Sequence, residues 1–215
     1  MTATALAGAS GPATLDQRLS PQEVEQARAF LQQTKNAVIG ATKGLSDAQW
    51  RFKPAPDRWS ILENLDHIVI VQDRVLGPVM EELANAPAPP NGFDAQLVDA
   101  IVMHQIPTRL IKVNAPEFLH PADEIKPGEL LDRLSRNYDR LNQYLETSMG
   151  LRRHAIDSPP IKAVSQGAFS LMDGYQWILA AAAHAERHAK QMLEVMAEPG
   201  YPTWWHYDDG GARIK

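Results

Sequence analysis

The chain reads as all-α, a four-helix bundle with long crossover connections. Three observations predict it. Four long segments repeat apolar residues at helical spacing. No segment alternates apolar and polar residues over the length of a useful strand. Long irregular stretches separate the second helix from the third and the third from the fourth, which suits crossovers better than simple hairpins.

The first helix starts at SPQE, where Ser20 caps, Pro21 suits the first helical position and Glu23 completes a capping box. Val24, Ala27, Leu31, Val38 and Ala41 then share one face, and Gly44 marks the stop. The second starts at SILE, where Ser60 and Glu63 repeat the box; Ile61, Leu65, Ile68, Val75, Val79 and Leu83 form its stripe. Gly77-Pro78 inside it predicts a bend, because proline removes a backbone donor. The break NAPAPPNGF follows, and the stretch from Leu97 to Lys126 holds one short helix punctuated by Pro107, Pro116, Pro121 and the acidic pair Asp123-Glu124. The third long helix runs from Gly128 to Ser148 with Leu130, Leu134, Leu141 and Leu145 inward. The fourth opens at Ser170, with Asp173 closing the cap, and ends before Pro199-Gly200. Its stripe is Leu171, Tyr175, Ile178, Ala182, Ala189, Leu193 and Met196.

The expected organisation is a flexible extension over residues 1–19, the bundle over 20–200, and an aromatic tail over 201–215 packed on or near the bundle. A chain of 215 residues suits one or at most two domains. Its net charge of −5 argues against a general nucleic-acid binder, which shows a basic face. The nearest basic cluster, Arg152, Arg153 and His154, reads as a solvated loop. No apolar run approaches the ~18–20 residues that cross a bilayer, and the N-terminus does not read as a signal peptide. The absence of cysteine excludes disulfides, thiolate metal ligands and a cysteine nucleophile within the chain, and fits a cytoplasmic setting.

The histidines carry the functional information. His184 and His188 stand four residues apart in AAAAHAERHAKQM, so their rings point within about 40° of each other, one turn apart. That spacing lets both reach one ion, as in helical pairs that bind zinc. A third ligand must come from a neighbouring helix, and His67, in WSILENLDHIVIV, is the one other histidine within a long helical segment. His104, His120, His154 and His206 fall in loops or beside proline. All three candidates lie at the border of an apolar stripe, partly covered yet able to face a pocket. HAERH is not the zincin motif: Ala185 stands where that motif needs glutamate, and Glu186 turns away toward Lys190 and solvent.

Together, RWSILENLDHI with Trp59, Ser60, Glu63 and His67, and YQWILAAAAHAERHAKQM with Tyr175, Gln176, Trp177, His184, His188 and Gln191, resemble the DinB-like (DinB/YfiT-like) superfamily of metalloenzymes. APEFLHP in the long connection extends the similarity, which covers most of residues 20–200. The resemblance implies an up-down-down-up bundle holding a divalent ion, commonly nickel or zinc, on three histidines that map to His67, His184 and His188. It also implies thiol-dependent S-transferase or isomerase chemistry with a low-molecular-weight thiol and a small electrophile as partners. Dimerisation through helix faces is expected by analogy alone.

Three neutral imidazoles leave a coordination position for water or substrate, and a thiol there would lose its proton. Three functions follow as expectations: a metal-dependent thiol S-transferase first, a metal-dependent hydrolase on the same centre second, a non-catalytic metal or small-ligand binding bundle third. Glu63 has two compatible readings, as the third residue of a capping box and as an acid–base group near the metal. Asp66 reads as a solvated charge, and Trp59 and Trp177 as core or wall.

Overall fold

The structure, a computed structural model, describes residues 18–111, 115–122 and 126–202, together with the backbone of 206–207 and 213–214. It is mostly helical, as the periodicity requires. The long helices are α1 (Pro21–Thr42), α3 (Ile61–Arg74), α6 (Pro127–Thr147) and α8 (Gly174–Met196). Shorter ones are α2 (Asp47–Arg51), α4 (Met80–Leu83), α5 (Ala95–Gln105) and α7 (Pro159–Val164). α1 packs on α8 and α6, and α3 packs on the same two, so the long helices close a ring of contacts around one apolar core. α5 lies against α8 outside that ring.

The capping boxes at Ser20/Glu23 and Ser60/Glu63 form with both reciprocal bonds in place. The prolyl residue inside the second helical stretch is accommodated by a π-helical turn over Val75–Val79, after which α4 continues. A π turn widens the hydrogen-bonding pattern by one residue, which makes room for a residue lacking an N–H.

The start of α8 differs from the sequence expectation. Ser170 is not its cap: Leu171–Asp173 forms β2, paired antiparallel with β1 (Ala155–Asp157). Asp173 is itself the N-cap, in a reciprocal box with Gln176. Gly174 follows because its amide donates to Leu151 O at 2.8 Å, and a Cβ there would come 2.9 Å from Leu151 Cδ2 and 3.1 Å from Leu151 O. Only glycine allows that approach without displacing the backbone.

Arg152 is not part of a solvated loop. Its guanidinium bonds Glu23 of α1, Asp99 of α5 and the Asp173 cap, and lies 4.1 Å from the centre of the Tyr175 ring. Gln176 Nε2 donates to Asp99 and to Ala95 O, and Tyr175 donates to Glu23 O. One partly buried polar cluster thus fixes the N-terminal end of α8 against α1 and α5.

Beyond α8, Tyr201 meets Phe52 edge-on at 5.5 Å, and Gln49 donates to Pro202 O. A second short pair, β3 (His206–Tyr207) with β4 (Arg213–Ile214), follows in the tail. Trp204 and Trp205, and the extension over residues 1–17, lie outside the described residues. Among the described residues, no helix is long and apolar enough to cross a membrane.

Candidate metal centre

Two helices supply the centre. In α3 the Ser60–Glu63 box sets the first turn, and the next turn carries Asn64 and His67. In α8 the Asp173–Gln176 box sets the register, and the buried Ala180, Ala181, Ala182, Ala183, Ala185 and Ala189 let neighbouring helices approach closely. Small side chains shorten the distance between helix axes. His184 and His188 come off the edge of that small-residue surface, and His67 faces them across the α3–α8 contact.

His184 Nε2 lies 3.1 Å from His67 Nε2 and 3.1 Å from His188 Nε2. All three candidate ligand atoms fall within 4.8 Å of one another, and the ring centroids are 4.4–4.8 Å apart. The outer nitrogens explain which way the lone pairs point. His67 Nδ1 donates to Leu119 O at 2.7 Å, since a carbonyl can only accept. His188 Nδ1 donates to Asn64 Oδ1 at 3.0 Å, and the Asn64 amide is oriented by donating its Nδ2 to Ser60 O at 2.8 Å. Both rings therefore carry their proton outside and turn an Nε2 lone pair inward.

That arrangement cannot satisfy itself. His184 offers at most one proton from Nε2, so at most one of the two 3.1 Å contacts is a hydrogen bond. The other sets two lone pairs against each other, and His184 Nδ1 is buried without a partner among the described residues. Protonating the rings is opposed: burial holds His67, His184 and His188 below the ordinary imidazole value. For His184 and His188 the neighbouring imidazoles push further in the same direction. A divalent cation removes the conflict, and the two 3.1 Å contacts suit one. Zn–N bonds of ~2.0–2.1 Å at angles between octahedral and tetrahedral put nitrogens roughly 2.9–3.4 Å apart.

The walls differ in character. Trp59 covers one side, its ring 4.7 Å from that of His67 and 5.9 Å from that of His188. The connection after α5 covers another: Leu119 O receives the His67 bond, and Ala122 N–H donates to Asp66. Asp66 is accordingly buried, not a solvated charge, and burial raises its carboxyl above the ordinary value.

Glu63 is occupied. Its Oε2 accepts from the Ser60 amide at 2.7 Å and its Oε1 from Lys53 Nζ at 2.8 Å. Burial pushes its carboxyl up, but the bonds from Lys53 and Ser60 outweigh that and hold it below the usual value. Glu186 pairs with Lys190 as spacing suggests, but its side chain is only 17% exposed, so it does not stand free in solvent. Of the remaining histidines, His104 lies on α5 and is exposed, His120 donates to Ala115 O, and His154 donates to Ala86 O. None of these three joins the cluster.

Asn64 escaped the sequence reading. The signal available was a polar residue one helical position after the capping glutamate and three before His67, on the same face of α3.

The chain matches the DinB superfamily over residues 30–192. It is also similar to the uncharacterized protein YuaE of Bacillus subtilis (strain 168), with 25% identity over 154 residues, 71% of this chain and 86% of that one. No solved structure matches it significantly. With a three-histidine group in place and three quarters of its length matched, the chain belongs to the DinB superfamily.

Proposed function

We propose that this protein is a metal-dependent enzyme of the thiol S-transferase type, built on an up-down-down-up four-helix bundle over residues 20–200. His67, His184 and His188 hold a divalent ion, nickel or zinc, and the substrates are a small thiol and an electrophile. The observation that supports this best is the set of inward-facing lone pairs, which protons cannot satisfy. When bound, such an ion acts as a Lewis acid that lowers the pKa of a thiol or water at its open position. The chain has no cysteine, so the sulfur must come from a separate molecule.

The protein's own groups prepare the site. Leu119 O and Asn64 fix the tautomers of His67 and His188, and Trp59 presents an apolar wall that keeps water from one side. Glu63 serves by position: its box holds the turn that carries Asn64 and His67.

Metal analysis of the purified full chain tests the centre. Bound metal near one equivalent is expected in the wild type and a sharp loss in each of His67→Ala, His184→Ala and His188→Ala; a variant that keeps its metal removes that residue from the site. Conjugation of a chlorodinitrobenzene-type electrophile with several thiols, with and without metal, tests the reaction. Thiol-independent ester cleavage would replace this reading with the hydrolase, and silence in both assays with the binding bundle.

A further inference from the structure

One stretch of chain touches the centre without packing into the core. Residues 115–122, in the connection between α5 and α6, hold a single 3₁₀ turn over Glu117–Leu119, and none of them is buried. Phe118 is 62% exposed, with the Arg74 guanidinium 4.5 Å from its ring centre. Internal bonds shape the stretch: Leu119 N–H donates to Pro116 O, His120 N–H to Glu117 O, and the His120 ring to Ala115 O. Among the described residues, two hydrogen bonds tie it to the rest of the chain, and both end on consecutive residues of α3. His67 Nδ1 donates to Leu119 O at 2.7 Å, and Ala122 N–H donates to Asp66 Oδ2 at 2.9 Å. A segment held by few polar bonds and little buried apolar surface opens locally at lower cost than the helices beneath it.

The first of those bonds draws on a proton that the centre also uses. A neutral imidazole carries one N–H. With that proton on Nδ1, His67 holds Leu119 O and turns its Nε2 lone pair toward His184 Nε2, 3.1 Å away. With the proton on Nε2, the inner contact becomes a hydrogen bond, but Nδ1 then sets a lone pair against the carbonyl. The strap and the inner contact therefore compete for one proton. A cation on Nε2 ends the competition, because the proton must then stay on Nδ1, and the carbonyl in turn makes Nε2 a stronger ligand.

Asp66 supplies the second tie. It is buried beside His67 in sequence and holds Ala122, three residues beyond Leu119, across His120 and Pro121. The fixed φ of Pro121 limits the slack between the two ties. Between them His120 sets its ring edge-on to Trp59 at 6.3 Å, and Trp59 itself lies against His67 and His188. The closed strap and Trp59 thus meet as one cover over the histidines.

We propose that residues 115–122 are a metal-linked strap: its closure on α3 and metal binding at His67 favour each other, and Asp66 is the positioning residue that brings Leu119 O to His67. The proposal rests on the metal reading above and adds a conformational control to that site. Because such coupling is reciprocal, the strap strengthens metal binding by the factor by which metal holds the strap closed.

The test compares the full chain stripped by chelator with the same protein given one equivalent of zinc, bound metal being counted directly. Amide hydrogen exchange is read on peptides covering the strap. The amides of Leu119, His120 and Ala122, all bonded in the closed strap, are expected to exchange about tenfold more slowly with zinc, on the scale of one group that orients a ligand. The turn at Gln166–Gly167, equally clear of the core, should keep its rate. Asp66→Ala should lower zinc affinity about tenfold, read by competition with a chromophoric chelator, and leave the strap amides fast at saturating zinc. Asp66→Asn, which keeps an oxygen to accept from Ala122, should recover most of both. Unchanged strap rates in zinc-bound wild type, equal slowing at Gln166–Gly167, full zinc affinity in Asp66→Ala, or no recovery in Asp66→Asn overturns the proposal and leaves the metal reading standing. A wild type that binds no zinc overturns the metal reading, and this proposal with it. Should Asp66→Ala not fold, the wild-type exchange comparison decides alone.

Discussion

Two polar clusters are fixed to α8, one partly buried at its N-terminal end and one buried beyond its middle, and they are built on opposite plans. Around Arg152 the donors find acceptors: Glu23, Asp99 and the Asp173 cap surround one guanidinium. Around His67, His184 and His188 the outer nitrogens of two rings are satisfied while the inner nitrogens face one another without a proton each. The first cluster is complete as it stands, and the second becomes complete by adding a cation. Buried polar groups cost stability unless partnered, so a closed cluster reads as structural and an open one as a binding site.

The strongest way to break this contrast is to remove a centre from each cluster. Arg152 is 24% exposed at its side chain, and Arg152→Ala leaves three carboxylates without their shared counter-charge. It should cost on the order of 3–5 kcal/mol in denaturant unfolding, with or without metal. It should also keep the rise in melting temperature produced by adding a divalent metal, since saturating a site at a hundred times its Kd contributes roughly 2.7 kcal/mol. His188→Ala should do the reverse, losing the metal-dependent rise while the metal-free protein changes far less. Equal metal responses in the two variants would erase the distinction.

A smaller effect sharpens the second cluster. Asn64 is wholly buried and its amide is oriented by Ser60 O, so it dictates which nitrogen of His188 faces inward. Asn64→Leu keeps a similar volume and removes the acceptor. Metal affinity, read by competition with a chromophoric chelator, should fall about 10–100-fold, the usual scale for losing a group that orients a ligand. Unchanged affinity would show that His188 holds its tautomer without help.

The two clusters were unequally legible. His67, His184 and His188 could be picked out because two share one helix face and the third sits at the same kind of border on another; helical geometry turns that into proximity with little added information. The boxes at Ser20 and Ser60 were legible for the same reason, each being a local rule over three residues. Arg152 could not be understood locally. Its partners lie 129, 53 and 21 residues away, and nothing in RRH distinguishes a hub from a solvated pair. Ser170 reads as the cap of α8 in the sequence because the pairing of Leu171–Asp173 with Ala155–Asp157 is likewise non-local. At only three residues each, these strands leave too little alternation to register against the helical pattern.

The subtlest consequence is that the clusters should respond to pH with opposite signs. Burial raises the Asp173 carboxyl to about 6 against the pull of Arg152, compared with 3.8 for the free group. Between those values the folded state holds a proton that the unfolded chain has released, so this cluster gains stability as pH falls. The change from pH 7.5 to 5.5 is about 0.8 kcal/mol from those two pKa values. The three site histidines run the other way. Burial lowers their folded pKa values below the free 6.5, so the unfolded chain takes up protons first and stability is lost as pH falls through that range. The wild-type profile therefore mixes both, and Asp173→Asn separates them, since asparagine still caps a helix but does not titrate. In metal-free protein, the variant should lose stability more steeply than the wild type between pH 7.5 and 5.5. Parallel profiles would mean that Asp173 stays ionised throughout and that Arg152, not burial, governs the end of α8.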